Sequence, residues 1–92
     1  MRVVNKYKEK YTHYIGRGSV FGNPFKIGID GNREEVIKKF ERWLMFHKCN
    51  LIDKLKKEIY SLPKDAILGC YCKPKSCHGD VIIKIWKELH NA

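Results

Sequence analysis

Cys70, Cys72, Cys77, His78 and Asp80 fall together in residues 70–80, and side chains of these types at this spacing support three chemistries. As a metal site, Cys70, Cys72, Cys77 and His78 supply three sulfurs and one nitrogen to a tetrahedral zinc. Cys70 and Cys72 are two apart on a strand and face one side, and a turn at Pro74 can return Cys77 toward Cys72. The C-x-C spacing and the adjacent Cys-His pair depart from the usual C-x2-C knuckle. As a reactive thiol, Cys77, or second Cys72, stands at a helix N-terminus with His78 as base and Asp80 as the orienting carboxylate. Helix neighbours point about 100° apart, which weakens that pairing. As a ligand-binding loop, the cysteines are small buried residues, while His78, Gly79, Asp80 and the helix N-terminus contact an anion. A Cys72–Cys77 disulfide, or no chemical role, completes the set.

The second chemistry-bearing stretch is residues 16–25, Gly-Arg-Gly-Ser-Val-Phe-Gly-Asn-Pro-Phe. Glycines there admit positive φ and close approach of backbone to a ligand. Arg17 can fork onto a phosphate or carboxylate, and Gly18, Ser19 and Asn23 offer backbone and side-chain partners around it. The plainer reading is an elaborate turn with Phe21 and Phe25 plugging the core. The pattern is neither a dinucleotide fingerprint nor a P-loop, so no particular cofactor follows.

Both stretches need elements to position them. Arg2-Val3-Val4-Asn5 and Tyr11-Thr12-His13-Tyr14-Ile15 read as short strands from their β-branched and aromatic content. Val36, Ile37, Phe40, Trp43, Leu44 and His47 recur at 3–4 spacing and predict a helix, with Asn32 and Glu35 as its capping pair. Leu51, Ile52, Leu55 and Ile59 predict a second helix with Asn50 as N-cap and Pro63 beyond its end. Ala66-Ile67-Leu68-Gly69-Cys70-Tyr71 is apolar on both alternating faces, as a central strand covered on two sides requires. Ile82, Ile85, Trp86 and Leu89 predict a C-terminal helix starting near Gly79 or Asp80. His47 falls on the apolar face of the first helix, His13 is placed to approach the glycine-rich loop, and Trp43 and Trp86 sit at core spacing. The expected fold class is α/β, a small mixed sheet of about three strands with about three helices in the order β-β-α-α-β-α.

The bulk composition sets outer limits. At 92 residues the chain is expected to form a single domain over 1–92, since one core is all that length supports. No apolar run approaches the roughly 20 residues of a membrane span, and the N-terminus lacks a signal-like core. The expected location is cytoplasmic, or host cytoplasm for a viral protein, with no membrane partner. Nineteen Lys and Arg against ten Asp and Glu give a net charge of +9, which favours anionic partners. Four cysteines in a reducing compartment point to metal or thiol chemistry before disulfides.

The chain resembles a family of small prokaryotic and phage proteins catalogued as domain of unknown function 4326. The resemblance is carried by Arg2-Val3-Val4-Asn5-Lys6, Ile15-Gly16-Arg17-Gly18-Ser19, Phe21-Gly22-Asn23-Pro24-Phe25, Arg33-Glu34-Glu35, Leu68-Gly69-Cys70-Tyr71-Cys72 and Cys77-His78-Gly79-Asp80. Where the family commonly has Cys-Trp-Cys, this chain has Cys70-Tyr71-Cys72; Cys49 lies outside the motif. The resemblance implies that the two loops form one site, and it assigns no activity, substrate or cofactor. The expected site is a pocket for a phosphate-bearing ligand, a nucleotide or nucleotide derivative. Arg17 and the last helix's N-terminus hold the anion, and Asn23, His78 and Asp80 orient the rest. The rival is a nucleic-acid-binding module in which zinc fixes the loop and Lys54, Lys56, Lys57, Lys73 and Lys75 contact backbone phosphates. A structural or protein-interaction role in a virus is the third alternative. Neither an oligomeric state nor a reaction is legible in these residues.

Overall fold

A computed structural model describes residues 1–16, 18–71, 75 and 77–91. The elements run β1 (Arg2–Asn5), β2 (His13–Tyr14), α1 (Arg33–Phe46), α2 (Asn50–Tyr60), β3 (Ile67–Cys70) and α3 (His78–Asn91). The order β-β-α-α-β-α and the α/β class are those the sequence predicts. The three strands form one sheet in the order β1-β3-β2, with β3 parallel to both neighbours; all three are parallel, rather than mixed.

That topology has a local cause. Parallel strands normally need a crossover of about a dozen residues or more, usually helical, yet β1 and β2 are joined by residues 6–12 alone. The connection crosses the face of β3. The Lys6 amide donates to the Cys70 carbonyl at 2.9 Å and the Thr12 amide to the Ile67 carbonyl at 2.9 Å, so the segment starts beside one end of β3 and finishes beside the other. Thr12 Oγ1 also accepts from the Ile67 amide at 2.9 Å. In between, the Tyr11 ring lies on Gly69, where a Cβ would stand 2.5 Å from Tyr11 Cγ. Only a residue without a side chain lets the ring cross there.

Alternation along β3 sorts the two faces. Leu68 and Cys70 point into the core shared with Phe40, Leu44, Ile52, Leu55, Ile59, Ile82 and Ile85. Gly69 and its register partner Val4 point the other way, toward the crossing segment. In α1, Val36, Phe40 and Leu44 are buried, the 3–4 stripe expected of a helix with one covered face. Truncating any of these large core side chains to Ala costs about 2–5 kcal/mol. The N-terminus of α1 carries a full capping box: the Asn32 side chain accepts from the Glu35 amide and the Glu35 carboxylate from the Asn32 amide.

Several boundaries shift from their expected places. β2 is confined to His13 and Tyr14, the two residues in register with Leu68 and Gly69 of β3, with Thr12 and Ile15 bonding to β3 at its ends. Cys49, not Asn50, is the N-cap of α2. His47 is the C-cap of α1 in extended backbone and is exposed, so it has left the apolar stripe it continues in sequence. His13 bonds through Nδ1 to Thr12 Oγ1 at 2.7 Å, a contact within its own strand end. Trp43 and Trp86 pack against the core while partly buried, and the Trp86 indole donates to the Leu62 carbonyl at 2.9 Å. Among the described residues no helix is long and apolar enough to cross a membrane.

Candidate functional site

The turn after β2 is built by its glycines. Gly18 has φ of +86°, a conformation that favours glycine, and the Ser19 amide and hydroxyl both donate to the Gly16 carbonyl, at 3.2 and 2.7 Å. Asn23 then ties the loop to α1: its amide donates to the Val36 carbonyl at 3.2 Å, and its Oδ1 accepts from the Phe25 amide at 2.9 Å. Asn23 thus positions the loop with both ends of its side chain. Phe21 is buried, and Phe25 meets Trp43 edge-on at 6.4 Å.

The other segment starts α3. Cys77 precedes the helix, and its Sγ accepts from the Gly79 amide at 3.4 Å, the bond a Ser or Thr oxygen makes at an N-cap. Asp80 Oδ2 accepts from the Cys77 amide at 3.4 Å, and the Asp80 amide donates to the Cys77 carbonyl at 3.1 Å. Gly79 allows the helix to sit directly on the sheet, since a Cβ there would be 2.7 Å from both Ile15 Cδ1 and Val3 Cγ2.

His78 links the two segments. Its Nε2 lies 2.7 Å from the Ile15 carbonyl, its ring edge packs on Phe40 at 5.5 Å, and its Nδ1 faces Cys77 Sγ at 3.6 Å. A carbonyl only accepts, so the network assigns the proton to Nε2 and leaves Nδ1 as an acceptor toward the sulfur. Burial holds the imidazole below its ordinary 6.5, against opposing bonds to the Ile15 and Phe21 carbonyls and the nearby Asp80 charge. The described geometry therefore brings Cys77 and His78 together, and places Asp80 on the helix-capping side of Cys77.

The segments meet at a cleft of about 590 Å3 beyond the C-terminal end of β3, where parallel α/β sheets bind ligands. Gly16 and Asn23 contribute from one segment, and Cys70, Cys77 and His78 from the other. Phe25, Ile27, Val36 and Ile37 form an apolar wall, with Tyr71 beside them. Lys26 and Arg33 also line it, and no carboxylate does among the described residues. Gly18, Ser19, Gly79 and Asp80 stand outside this wall; Arg17 and Cys72 lie outside the described residues. Of the four thiol and imidazole groups expected to bind zinc, Cys70 and Cys77 are buried and His78 adjoins Cys77. Among the described residues no three metal-capable side chains cluster. Lys54 and Lys57 are exposed on α2 and do not line the cleft, while Lys73 is outside the described residues.

Sequence reasoning overlooked Lys26, Arg33 and Tyr71 as cleft residues. Arg33 entered only through the Arg33-Glu34-Glu35 match to the family, and Lys26, the residue after the glycine-rich stretch, was not singled out. Tyr71 continues β3 beyond its last paired residue and stands at the centre of a second cluster. Lys6 donates to its hydroxyl at 3.2 Å, and the ammonium lies 4.8, 4.9 and 5.5 Å from the ring centroids of Tyr14, Tyr71 and Tyr7. Hydrogen bonding from Tyr14, then from Lys6 and Tyr7, lowers the Tyr71 phenol below its usual value, and the same Tyr71 contact raises Lys6.

Residues 2–88 match the family described as Domain of unknown function (DUF4326). The chain is also 41% identical over 90 residues to a protein of Enterobacteria phage T4 described as an uncharacterized 12.4 kDa protein in the nrdA-td intergenic region, an alignment covering 96% of this chain and 79% of the phage protein. No solved structure matches it. The chain belongs to the DUF4326 family.

Proposed function

We infer that this family member binds a phosphate-bearing small molecule, a nucleotide or nucleotide derivative, in the cleft between residues 16–27 and the start of α3. One observation carries the reading: the described wall pairs two cations, Lys26 and Arg33, with an apolar and aromatic surface and no carboxylate. Phe25, Ile37 and Tyr71 offer surfaces for a flat base, and Lys26 and Arg33 offer charge-assisted bonds to a phosphate. Most α3 N-terminal donors near Cys77 are already engaged within the cap, so the anion falls to side chains rather than to the helix end. Arg17 is the third cation we assign to it, from the sequence alone.

Calorimetry with adenosine 5′-monophosphate tests this. Lys26→Ala, Arg33→Ala and Arg17→Ala are each expected to weaken binding by about 1.5–3 kcal/mol, the scale of a hydrogen bond to a charged group, with circular dichroism as the folding control. Adenosine without phosphate is expected to bind at least about tenfold more weakly. Equal binding of nucleoside and nucleotide, or no heat with any nucleotide at millimolar concentration, overturns the reading.

A further inference from the structure

We propose that the exposed surface formed by residues 6–11, together with Tyr71, is a docking surface for single-stranded nucleic acid; it adjoins the cleft at Tyr71, and residues 6–11 themselves do not line the cleft. Its composition is an alternation of cations and rings: Lys6, Tyr7, Lys8, Lys10 and Tyr11 in one run, with Tyr71 folded against them. Tyr7 is 76% exposed, Tyr71 49% and Tyr11 40%. Large aromatic side chains this accessible on a strongly basic protein present faces on which unstacked bases pile, while the interleaved ammonium groups follow the phosphates.

The geometry keeps those rings in place before any ligand arrives. The Lys6 ammonium is held among Tyr7, Tyr14 and Tyr71, and the Tyr7 and Tyr71 centroids are 5.4 Å apart at an interplanar angle of 54°. A Lys cation within about 6 Å of a ring face is attracted to it, so the inner faces are used to fix orientation and the outer faces remain for a base. Tyr11 is fixed by its seat on Gly69. The one carboxylate in the run, Glu9, is drawn to Arg2 at 3.7 Å, which reduces its repulsion of a phosphate chain. Lys8 and Lys10 are exposed on either side of it. Stacked bases of a duplex do not offer free faces to such rings, so the surface selects single strands.

Fluorescence anisotropy with labelled oligothymidylate of about 12 nucleotides, inside the usual site sizes, is the test. Oligouridylate of the same length and a duplex of the same length are run beside it. The expected Kd is about 1–100 μM at moderate salt, with the duplex at least about tenfold weaker than either single strand. Tyr7→Ala is expected to weaken single-strand binding at least about fivefold, as losing one stacking partner does, and Tyr7→Phe to retain it because the ring, not the hydroxyl, carries the contact. Lys8→Gln and Lys10→Gln are each expected to reduce the magnitude of the salt slope by about 0.7. Arg33→Ala, which bears on the cleft, is expected to leave oligonucleotide binding within about twofold. Duplex binding as tight as single-strand binding, wild-type affinity in Tyr7→Ala, or an equal loss in Tyr7→Phe overturns the proposal, whatever the cleft binds.

Discussion

A histidine that donates to one backbone carbonyl and offers its other nitrogen to a cysteine is fixed in a single protonation state, and His78 is that residue. Its Nε2 hydrogen is committed to Ile15, and a second proton on Nδ1 would place a charge in a largely buried site facing Cys77 Sγ. The imidazole is held below 6.5 chiefly by burial, with Asp80 the opposing charge. Between that lowered value and 6.5 the unfolded chain binds the proton and the folded one does not, so stability rises with pH across the interval. It is complete above 6.5 and is lost as acid takes the solution down through the interval. Urea unfolding of wild type and His78→Gln from about pH 5 to 7.5 is expected to show a steeper acid loss in wild type; parallel pH profiles would refute the assignment. His78→Ala, which also strips the Ile15 carbonyl and the Phe40 edge contact, is expected to cost about 2–3 kcal/mol at neutral pH. The residue's importance was legible in the sequence through its place beside Cys77. Its tie to Ile15 was not, because that bond spans 63 positions and depends on where the turn after β2 ends.

Among the elements, β3 and the segment that crosses it determine the sheet. Gly69→Ala is expected to destabilise the protein by about 1–3 kcal/mol, the usual scale for overpacking, because the new methyl meets the base of the Tyr11 ring and not the movable tip of a side chain. Tyr11→Ala should relieve it, so a double-mutant cycle in urea is expected to give a coupling of about 0.5–3 kcal/mol; additivity would mean that the ring does not cross at Gly69. Asn32→Ala, which removes the side-chain half of the α1 capping box, is expected to cost about 1 kcal/mol in the same assay. Helical periodicity and that capping pair were readable because they are local: Val36, Phe40 and Leu44 recur within one helix, and Asn32 and Glu35 are three apart. The all-parallel topology was not readable from the same reasoning. A connection as short as residues 6–12 ordinarily argues for an antiparallel hairpin, and only contact between Tyr11 and Gly69, 58 positions later by their numbering, permits the crossing. His47 strayed for a related reason: periodicity extends a stripe past the point where the chain turns away.

At the scale of the whole molecule, described residues of both segments, among them Gly16, Asn23, Cys70 and Cys77, line one cleft at the end of β3, because a glycine-rich turn after one strand and a helix start after another both fall at strand C-termini in a parallel sheet. The cations of the cleft wall were missed, since Lys26 and Arg33 are two among nineteen basic residues and nothing local distinguishes them. That excess of charge has its own consequence. The net charge is +9 on a body of 35 × 33 × 21 Å, and at 0.01 M salt the screening length of about 30 Å is comparable with the molecule itself. Each positive group then repels nearly every other, which disfavours the compact state. At about 0.15 M salt the length shrinks to about 8 Å, and repulsion survives only between near neighbours. Among the described residues the attractive pairs weakened by the same change include Arg2 with Glu9 at 3.7 Å, both exposed, and an exposed Lys84 with a partly exposed Glu41, the latter raising Lys84 above its usual value. Exposed pairs of this kind are worth about 0–1 kcal/mol, so relief of repulsion wins. The melting temperature is therefore expected to rise by several degrees between 0.01 and 0.15 M NaCl, about 4–8 °C for each kcal/mol gained in a domain of this size. A Lys54→Glu/Lys57→Glu variant, altered on the exposed side of α2, should show a flatter rise. Oligonucleotide binding at the tyrosine-rich edge should weaken across the same salt series in which the fold strengthens. A melting temperature that falls with added NaCl would mean that attractive charge pairs, rather than the net excess of lysine, dominate the electrostatics of the fold.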